Sequence, residues 1–244
     1  MGASGGRRYA TLVAMGWGGF GIPMSMRPRG AEAMYALYYS PGTASMAVHL
    51  ALLEIGAPHQ LELVDLESKS QRSESYLRLN PQGQVPTLVI DDKPYTESAA
   101  LLMMLADRHP EAGLSPPPGT PKRNQWFQWL VFGSNAFGAS YRSWFYPPDL
   151  GGTEHPPAVR TALQRRIENL WSRVDAQLTT GGPYVLGKEI SAVDLLFIMY
   201  MRWSRNMPRT ALDWPALRQF ATLMRQRDSW QRLCDIENLK EWRS

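Results

Sequence analysis

The stretch that most constrains the fold is Asn80 to Ala99, NPQGQVPTLVIDDKPYTESA. Pro86 stands at the entry of the apolar run Thr87, Leu88, Val89, Ile90. A proline has no N–H to give a sheet ladder. At the mouth of a buried strand it implies an edge, a bulge or a cis peptide that exposes the backbone groups of Val85. Asp91-Asp92-Lys93-Pro94 reads as a tight hairpin turn. Thr96-Glu97-Ser98 reads as capping residues before the helical spacing of Ala99, Leu101, Leu102, Met103 and Leu105. A bare strand edge beside a helix N-terminus suits an extended small peptide. The edge offers strand-like hydrogen bonds and the helix end takes a carboxylate.

Around this stretch the patterns from Met34 run strand, helix, strand, helix, strand, strand, helix. Tyr35 to Tyr39 reads as a first strand, and Thr43 to Ile55 has helical spacing at Ala47, Leu50, Ala51 and Leu53. Leu61, Leu63 and Val64 read as a second strand, and Ser68 to Leu79 as an irregular helix. Glu111 to Thr120, with three consecutive prolines, reads as a linker. Beyond Pro121 every pattern is helical, including Ala158 to Leu178, Trp214 to Arg227 and Ser229 to Trp242. Ser191 to Asp194 forms a capping box, with Ile190 and Leu195 as its hydrophobic staple. The expected organisation is an α/β domain of order βαβαββα over 34–110, the linker 111–120, and an all-α domain over 121–244.

Composition narrows the function. With 244 residues, 44% hydrophobic and 20% charged, the chain is that of a globular protein. Its one cysteine, Cys234, allows neither an internal disulfide nor a thiolate metal cluster, so a reducing cytoplasm is expected and no metal. The first 33 residues hold four arginines against one glutamate, so residues 34–244 carry only +1 of the formal +4. Neither nucleic acid nor a membrane is expected as a partner. Residues 1–33 are rich in Gly, Met and Arg without period. Gly16 to Gly21 break the apolar core that a signal peptide needs, and Arg27 and Arg29 fall where small residues belong. The sixth residue is Gly6, where a myristoylation signal wants Ser or Thr. A disordered extension, or a start at Met34, is the expectation.

The motif NPxGxVPxL, with Glu97-Ser98 nine residues after Leu88, resembles the glutathione-site signature of cytosolic glutathione transferases. The resemblance implies that the α/β half is thioredoxin-like, that glutathione is a co-substrate, and that the chain forms a homodimer. It implies that Val85 pairs with the cysteinyl backbone and that Pro86 is cis. Ser98 would take the γ-glutamyl carboxylate and Glu97 would face the γ-glutamyl ammonium, with Gln84 a glycyl-side or backbone neighbour.

Conjugation needs the thiolate. A thiol with an ordinary pKa of about 8.5 must be lowered by about two pH units, which takes about 2.7 kcal/mol. A helix N-terminus supplies about 0.3–1 kcal/mol, up to about 2 if partly buried. A hydrogen bond to a charged group supplies about 1.5–3 kcal/mol, so one hydroxyl plus a helix end is enough. In LYYSPGTASMAVHLAL the candidates are Thr43 first, then Ser45, then Tyr39, with Ser40 also present. Thr43 can equally be a helix cap and Tyr39 a sheet residue. The stretch is nearest to the bacterial beta class, which has a cysteine where this chain has Ala44, so a mixed disulfide at that position is excluded. Serine-type classes place a hydroxyl where Thr43 stands. His49, well inside the helix, reads as an ordinary packed or surface histidine.

The helical half begins with Trp126, Phe127, Trp129, Phe132, Phe137, Tyr141, Trp144, Phe145 and Tyr146. Aromatic residues at helical spacing are core or the lining of an apolar pocket. Gly138 falls where the beta class tends to have a histidine, a second departure from that pattern. The expected function is transfer of alkyl or aryl groups to glutathione thiolate from small apolar electrophiles, a detoxification chemistry. The alternatives are another glutathione-dependent reaction, such as isomerisation, dehalogenation or ether cleavage, and a non-catalytic glutathione-binding or interaction module.

Overall fold

The computed structural model describes residues 35–243, so the reading of residues 1–33 lies outside the described residues. Four strands form one sheet in the order β2-β1-β3-β4: β1 Tyr35–Tyr39, β2 His59–Leu63, β3 Thr87–Ile90 and β4 Lys93–Tyr95. β1 pairs parallel with β2 and antiparallel with β3, so Leu37 lies between Leu61 and Leu88. Tyr35 and Leu37 alternate inward and are buried, as a half-covered strand requires. The hairpin turn is Asp91-Asp92 alone, both with positive φ (51° and 67°), while Lys93 and Pro94 belong to β4. Such a turn matches the right-handed twist of the strands it joins.

Helix α1, Ser45–Ile55, is buried without a break from Ser45 to Leu53. A helix apolar on every side must be covered on every side. It packs against β1, α3 (Ser98–Arg108), α7 (Ala192–Trp203) and α9 (Asp228–Ile236). α2 is a short helix, Glu74–Leu79, behind a single turn at Ser70–Arg72, which accounts for the irregular spacing there. The observed order β1-α1-β2-α2-β3-β4-α3 is the expected βαβαββα, followed only by helices.

The helical part comprises α4 Pro121–Phe132, a π turn at Gly133–Gly138, α5 Ala139–Phe145, α6 Pro157–Gly181, α7, α8 Pro215–Arg225 and α9. α6 buries one stripe, Ile167, Trp171, Val174 and Leu178, and is a surface helix. α7 is buried from Ala192 to Arg202 and forms the axis of this part. Its first turn closes the expected capping box. Asp194 Oδ2 accepts from the Ser191 N–H at 2.8 Å and its hydroxyl at 2.9 Å, and Oδ1 accepts from the Val185 N–H at 2.9 Å.

One cap and one helix end differ from the sequence reading. No side chain caps α3: Glu97 occupies the N-cap with φ 69°, and the Ser98 hydroxyl bonds elsewhere. α9 stops at Ile236 rather than running to Trp242. The chain turns at Asn238 (φ 52°), the Leu239 N–H returns to the Cys234 carbonyl at 2.9 Å, and the Trp230 indole donates to the Trp242 carbonyl at 2.9 Å. The apolar spacing continues because this tail folds back on the core, not because the helix does.

Asp194→Ala is expected to strand three donors in the interior and to lower the unfolding free energy by about 3 kcal/mol or more, read by urea denaturation. An unchanged midpoint would show that water replaces the carboxylate there.

Candidate active site

Between β1 and α1 the chain turns through Ser40-Pro41-Gly42-Thr43-Ala44. Two hydroxyls converge on one carbonyl in this turn: Thr43 Oγ1 donates to the Ser40 oxygen at 2.7 Å and Ser45 Oγ donates to it at 3.0 Å. The hydroxyls lie 3.0 Å from each other, and Ser45 Oγ also accepts from the Ser40 N–H at 3.3 Å. Ser45 is fully buried, whereas half-buried Thr43 and Ala44 lie on the wall of a cavity of about 810 Å³. Tyr39 is off that wall. Its ring meets His49 edge-on at 6.0 Å, and burial, with the Glu237 charge, holds its phenol above the ordinary value.

The turn is held from the far end of the chain. Glu237, just past α9, accepts the Gly42 N–H at Oε2 (2.9 Å) and the His49 Nδ1–H at Oε1 (2.8 Å). His49 and Glu237 side chains are wholly buried, so His49 is a packed histidine with a charged partner. The Trp203 indole donates to the Gly42 carbonyl at 3.0 Å. Gly42 has φ 73°, and a Cβ there would lie 3.0 Å from Arg202 Nη1. A left-handed backbone with a guanidinium against it leaves glycine as the fitting residue.

The opposite wall is the segment 80–86. Buried Asn80 folds it: its carbonyl accepts from the Gly83 N–H at 2.9 Å, Oδ1 accepts from the Gln82 N–H at 3.1 Å, and Nδ2 donates to the Gln84 carbonyl at 2.7 Å. The Tyr76 hydroxyl donates to the same Gln84 carbonyl at 2.6 Å. Gly83 has φ 61°, and a Cβ would meet the Gln71 carbonyl at 2.8 Å. The Val85–Pro86 peptide is cis, and Gln84, Val85 and Pro86 all line the cavity. Among the described residues, the Val85 N–H and C=O have no hydrogen-bond partner.

Thr96, Glu97 and Ser98 complete this side. The Ser98 hydroxyl donates to the Ala44 carbonyl at 3.0 Å, tying the first turn of α3 to that of α1. Two helix N-termini therefore open on one cavity, each with the positive end of its dipole; at α1 the Ser45 and Met46 N–H groups are already held by Thr43, through its hydroxyl at 3.5 Å and its carbonyl at 3.1 Å. That arrangement favours two anions side by side.

The helical part supplies the third wall. Of the aromatic series, Trp126, Trp129, Phe137 and Trp144 are core, Phe127 is exposed on α4, and Tyr141, Phe145 and Tyr146 line the cavity. Both readings of the aromatic spacing thus hold, for different residues. Gly138 also lines the cavity, as do Tyr200, Trp203 and Arg205. None of these three was singled out from sequence; Leu196, Tyr200 and Trp203 recur at helical spacing, but within an apolar run whose facing cannot be read locally. Arg72, on the rim, was missed too and donates to the Gln82 carbonyl at 3.2 Å.

Comparison with known proteins agrees with this geometry. Residues 43–108 match the family model described as glutathione S-transferase, N-terminal domain. The glutathione S-transferase GST-4.5 of Xanthomonas campestris pv. campestris is 30% identical over 70% of this chain and 82% of that protein. A glutathione transferase structure from Methylococcus capsulatus is 31% identical, with a TM-score of 0.76 over 84% of this chain and 99% of that one. A sphingomonad glutathione S-transferase complexed with glutathione is 28% identical, with a TM-score of 0.74 over 84% and 99%.

Removing the buried carboxylate in Glu237→Leu is expected to cost about 3–5 kcal/mol, the scale of a broken buried pair. Glu237→Gln, which keeps an acceptor for Gly42, is expected to cost less than half as much. Equal losses in chemical denaturation would show that the charge matters there and the Gly42 bond does not.

Proposed function

Because the chain belongs to the glutathione S-transferase family, we propose that this cavity binds glutathione, ionises its thiol at α1, and joins the sulfur to a small apolar electrophile. The observation that carries this reading is the meeting of two helix N-termini and the unpaired Val85 edge in one cavity with an aromatic far wall. Val85 pairs with the cysteinyl backbone beside Pro86, with Gln84 at its side. The Ser98 N–H takes the γ-glutamyl carboxylate, joined by its hydroxyl, which turns from the Ala44 carbonyl to do so; Glu97 takes the ammonium, and Arg72 supplies a cation at the other end of the peptide.

Thr43 is the thiolate donor in this reading. Its hydroxyl can rotate from the Ser40 carbonyl toward the sulfur while the Ser45 hydroxyl keeps that carbonyl satisfied. Ser45 and Tyr39 rank behind it because neither lines the cavity. With the thiol proton released to solvent, the sulfur lone pair forms the C–S bond and the leaving group departs with its bonding pair. Ala44 offers no thiol, so the protein takes no covalent part.

The relatives' names support conjugation over isomerisation, dehalogenation, ether cleavage or a non-catalytic binding role. Among the described residues no helix is long and apolar enough to cross a membrane. A cytoplasmic homodimer engaged in detoxification, divided at residues 111–120 into a glutathione-binding and a helical domain, completes the proposal.

Ser98→Ala is expected to weaken glutathione binding by about 1.5–3 kcal/mol, the scale of a hydrogen bond to a charged group, measured by calorimetry. Wild-type turnover of a chloronitrobenzene tests conjugation itself. Binding without turnover would favour the non-catalytic alternative.

A further inference from the structure

On the aromatic wall the hydroxyl of Tyr200 on α7 has no hydrogen-bond partner among the described residues; that of Tyr141 has none either, but it is shut away in the core. Tyr200 is buried, yet it lines the cavity. Its ring is locked, stacked on Phe137 (centroids 5.6 Å, planes 17° apart) and on Tyr141 (5.9 Å, 12°). The edge of Trp203 meets it at 5.2 Å, and this is the tryptophan whose indole holds the Gly42 carbonyl. The Tyr200 ring thus stands one ring away from the turn that carries Thr43. Its hydroxyl is open because residue 138 is glycine: a Cβ there would lie 3.3 Å from Tyr200 Oη, and a larger side chain would cover it. Burial holds the phenol above its ordinary value, so it keeps its proton at neutral pH.

We propose that Tyr200 is a catalytic hydrogen-bond donor to the electrophile, serving substrates whose reacting carbon is conjugated to an oxygen, as in an α,β-unsaturated ketone. This rests on the glutathione transferase reading above. The thiolate lone pair forms the C–S bond at the β-carbon, and the C=C π pair moves toward the carbonyl, whose oxygen becomes an enolate. The Tyr200 O–H donates a hydrogen bond to that oxygen and keeps its proton. Solvent returns to the α-carbon the proton that the thiol released, so the product is the simple thioether adduct. A fixed donor is worth more against this developing charge than against the neutral ketone. An alkyl halide, whose charge leaves with the halide, makes no use of it.

The test compares kcat/KM for benzylideneacetone and for benzyl chloride, with glutathione saturating, in wild type, Tyr200→Phe and Gly138→Val. Phenylalanine removes only the hydroxyl, whereas valine at 138 leaves it in place and covers it. The ketone-to-halide ratio is expected to fall fivefold or more in each variant, and a smaller fall in either overturns the proposal. A parallel loss of both rates, with a shifted titration of the bound thiol, would place Tyr200 on the sulfur and also overturn it. If wild type converts the halide but not the ketone, the Tyr200 proposal fails while the transferase reading stands. If it converts neither, that reading fails and takes the proposal with it.

Discussion

Gly42 is held at both ends of its residue, its N–H by the Glu237 carboxylate at 2.9 Å and its carbonyl by the Trp203 indole at 3.0 Å. Everything that faces the thiol follows within two residues of it. These partners come from the last helices of the chain, so the turn is complete only when α7 and the tail beyond α9 have docked on α1. A hydrogen bond to a buried charge contributes about 1.5–3 kcal/mol, more than a turn of five residues supplies by itself. The shared carboxylate also answers His49, which α1 could not otherwise bury at that position.

The second constraint is the bond from the Ser98 hydroxyl to the Ala44 carbonyl. It sets the distance between two helix N-termini before the hydroxyl turns to a carboxylate, and with it the spacing that two anionic groups on one small peptide must match. On the wall opposite the α1 turn, Asn80 in the loop from Asn80 to Pro86 spends its side chain on the loop's own backbone. Val85, in the same loop, is left with both backbone groups unused. The cavity's chemistry therefore comes largely from main-chain groups aimed by buried side chains.

Most of the α/β half was legible because its determinants are local. The cis proline, a hairpin turning at Asp91 and the start of α3 at Ser98 are set within Asn80 to Ser98, though the turn is two residues and not the four read from the sequence, and the capping box is set within Ser191 to Asp194. The helix end at Ile236 was not, because apolar spacing continues through residues that fold back as loop. Nor was the role of His49, whose partner lies 188 residues on. Thr43 and Ser45 could not be separated from sequence, since two hydroxyls two residues apart at the start of a helix differ only in which side the tertiary fold covers. Tyr200 and Trp203 were hidden for the same reason, inside a run that reads as uniform core.

The central claim is that the Thr43 hydroxyl, with the end of α1, holds bound glutathione as the thiolate. The ultraviolet absorbance of bound thiolate, titrated against pH in wild type, Thr43→Val, Ser45→Ala and Tyr39→Phe, reads this directly. In wild type the midpoint should lie below the ordinary thiol value of about 8.5. Thr43→Val should raise it by about one or two pH units, the worth of one hydrogen bond to a charged sulfur, with glutathione affinity little changed. Ser45→Ala and Tyr39→Phe should move it much less. A midpoint that stays in place in Thr43→Val but rises in either of the others, or no thiolate in wild type at neutral pH, would contradict the account.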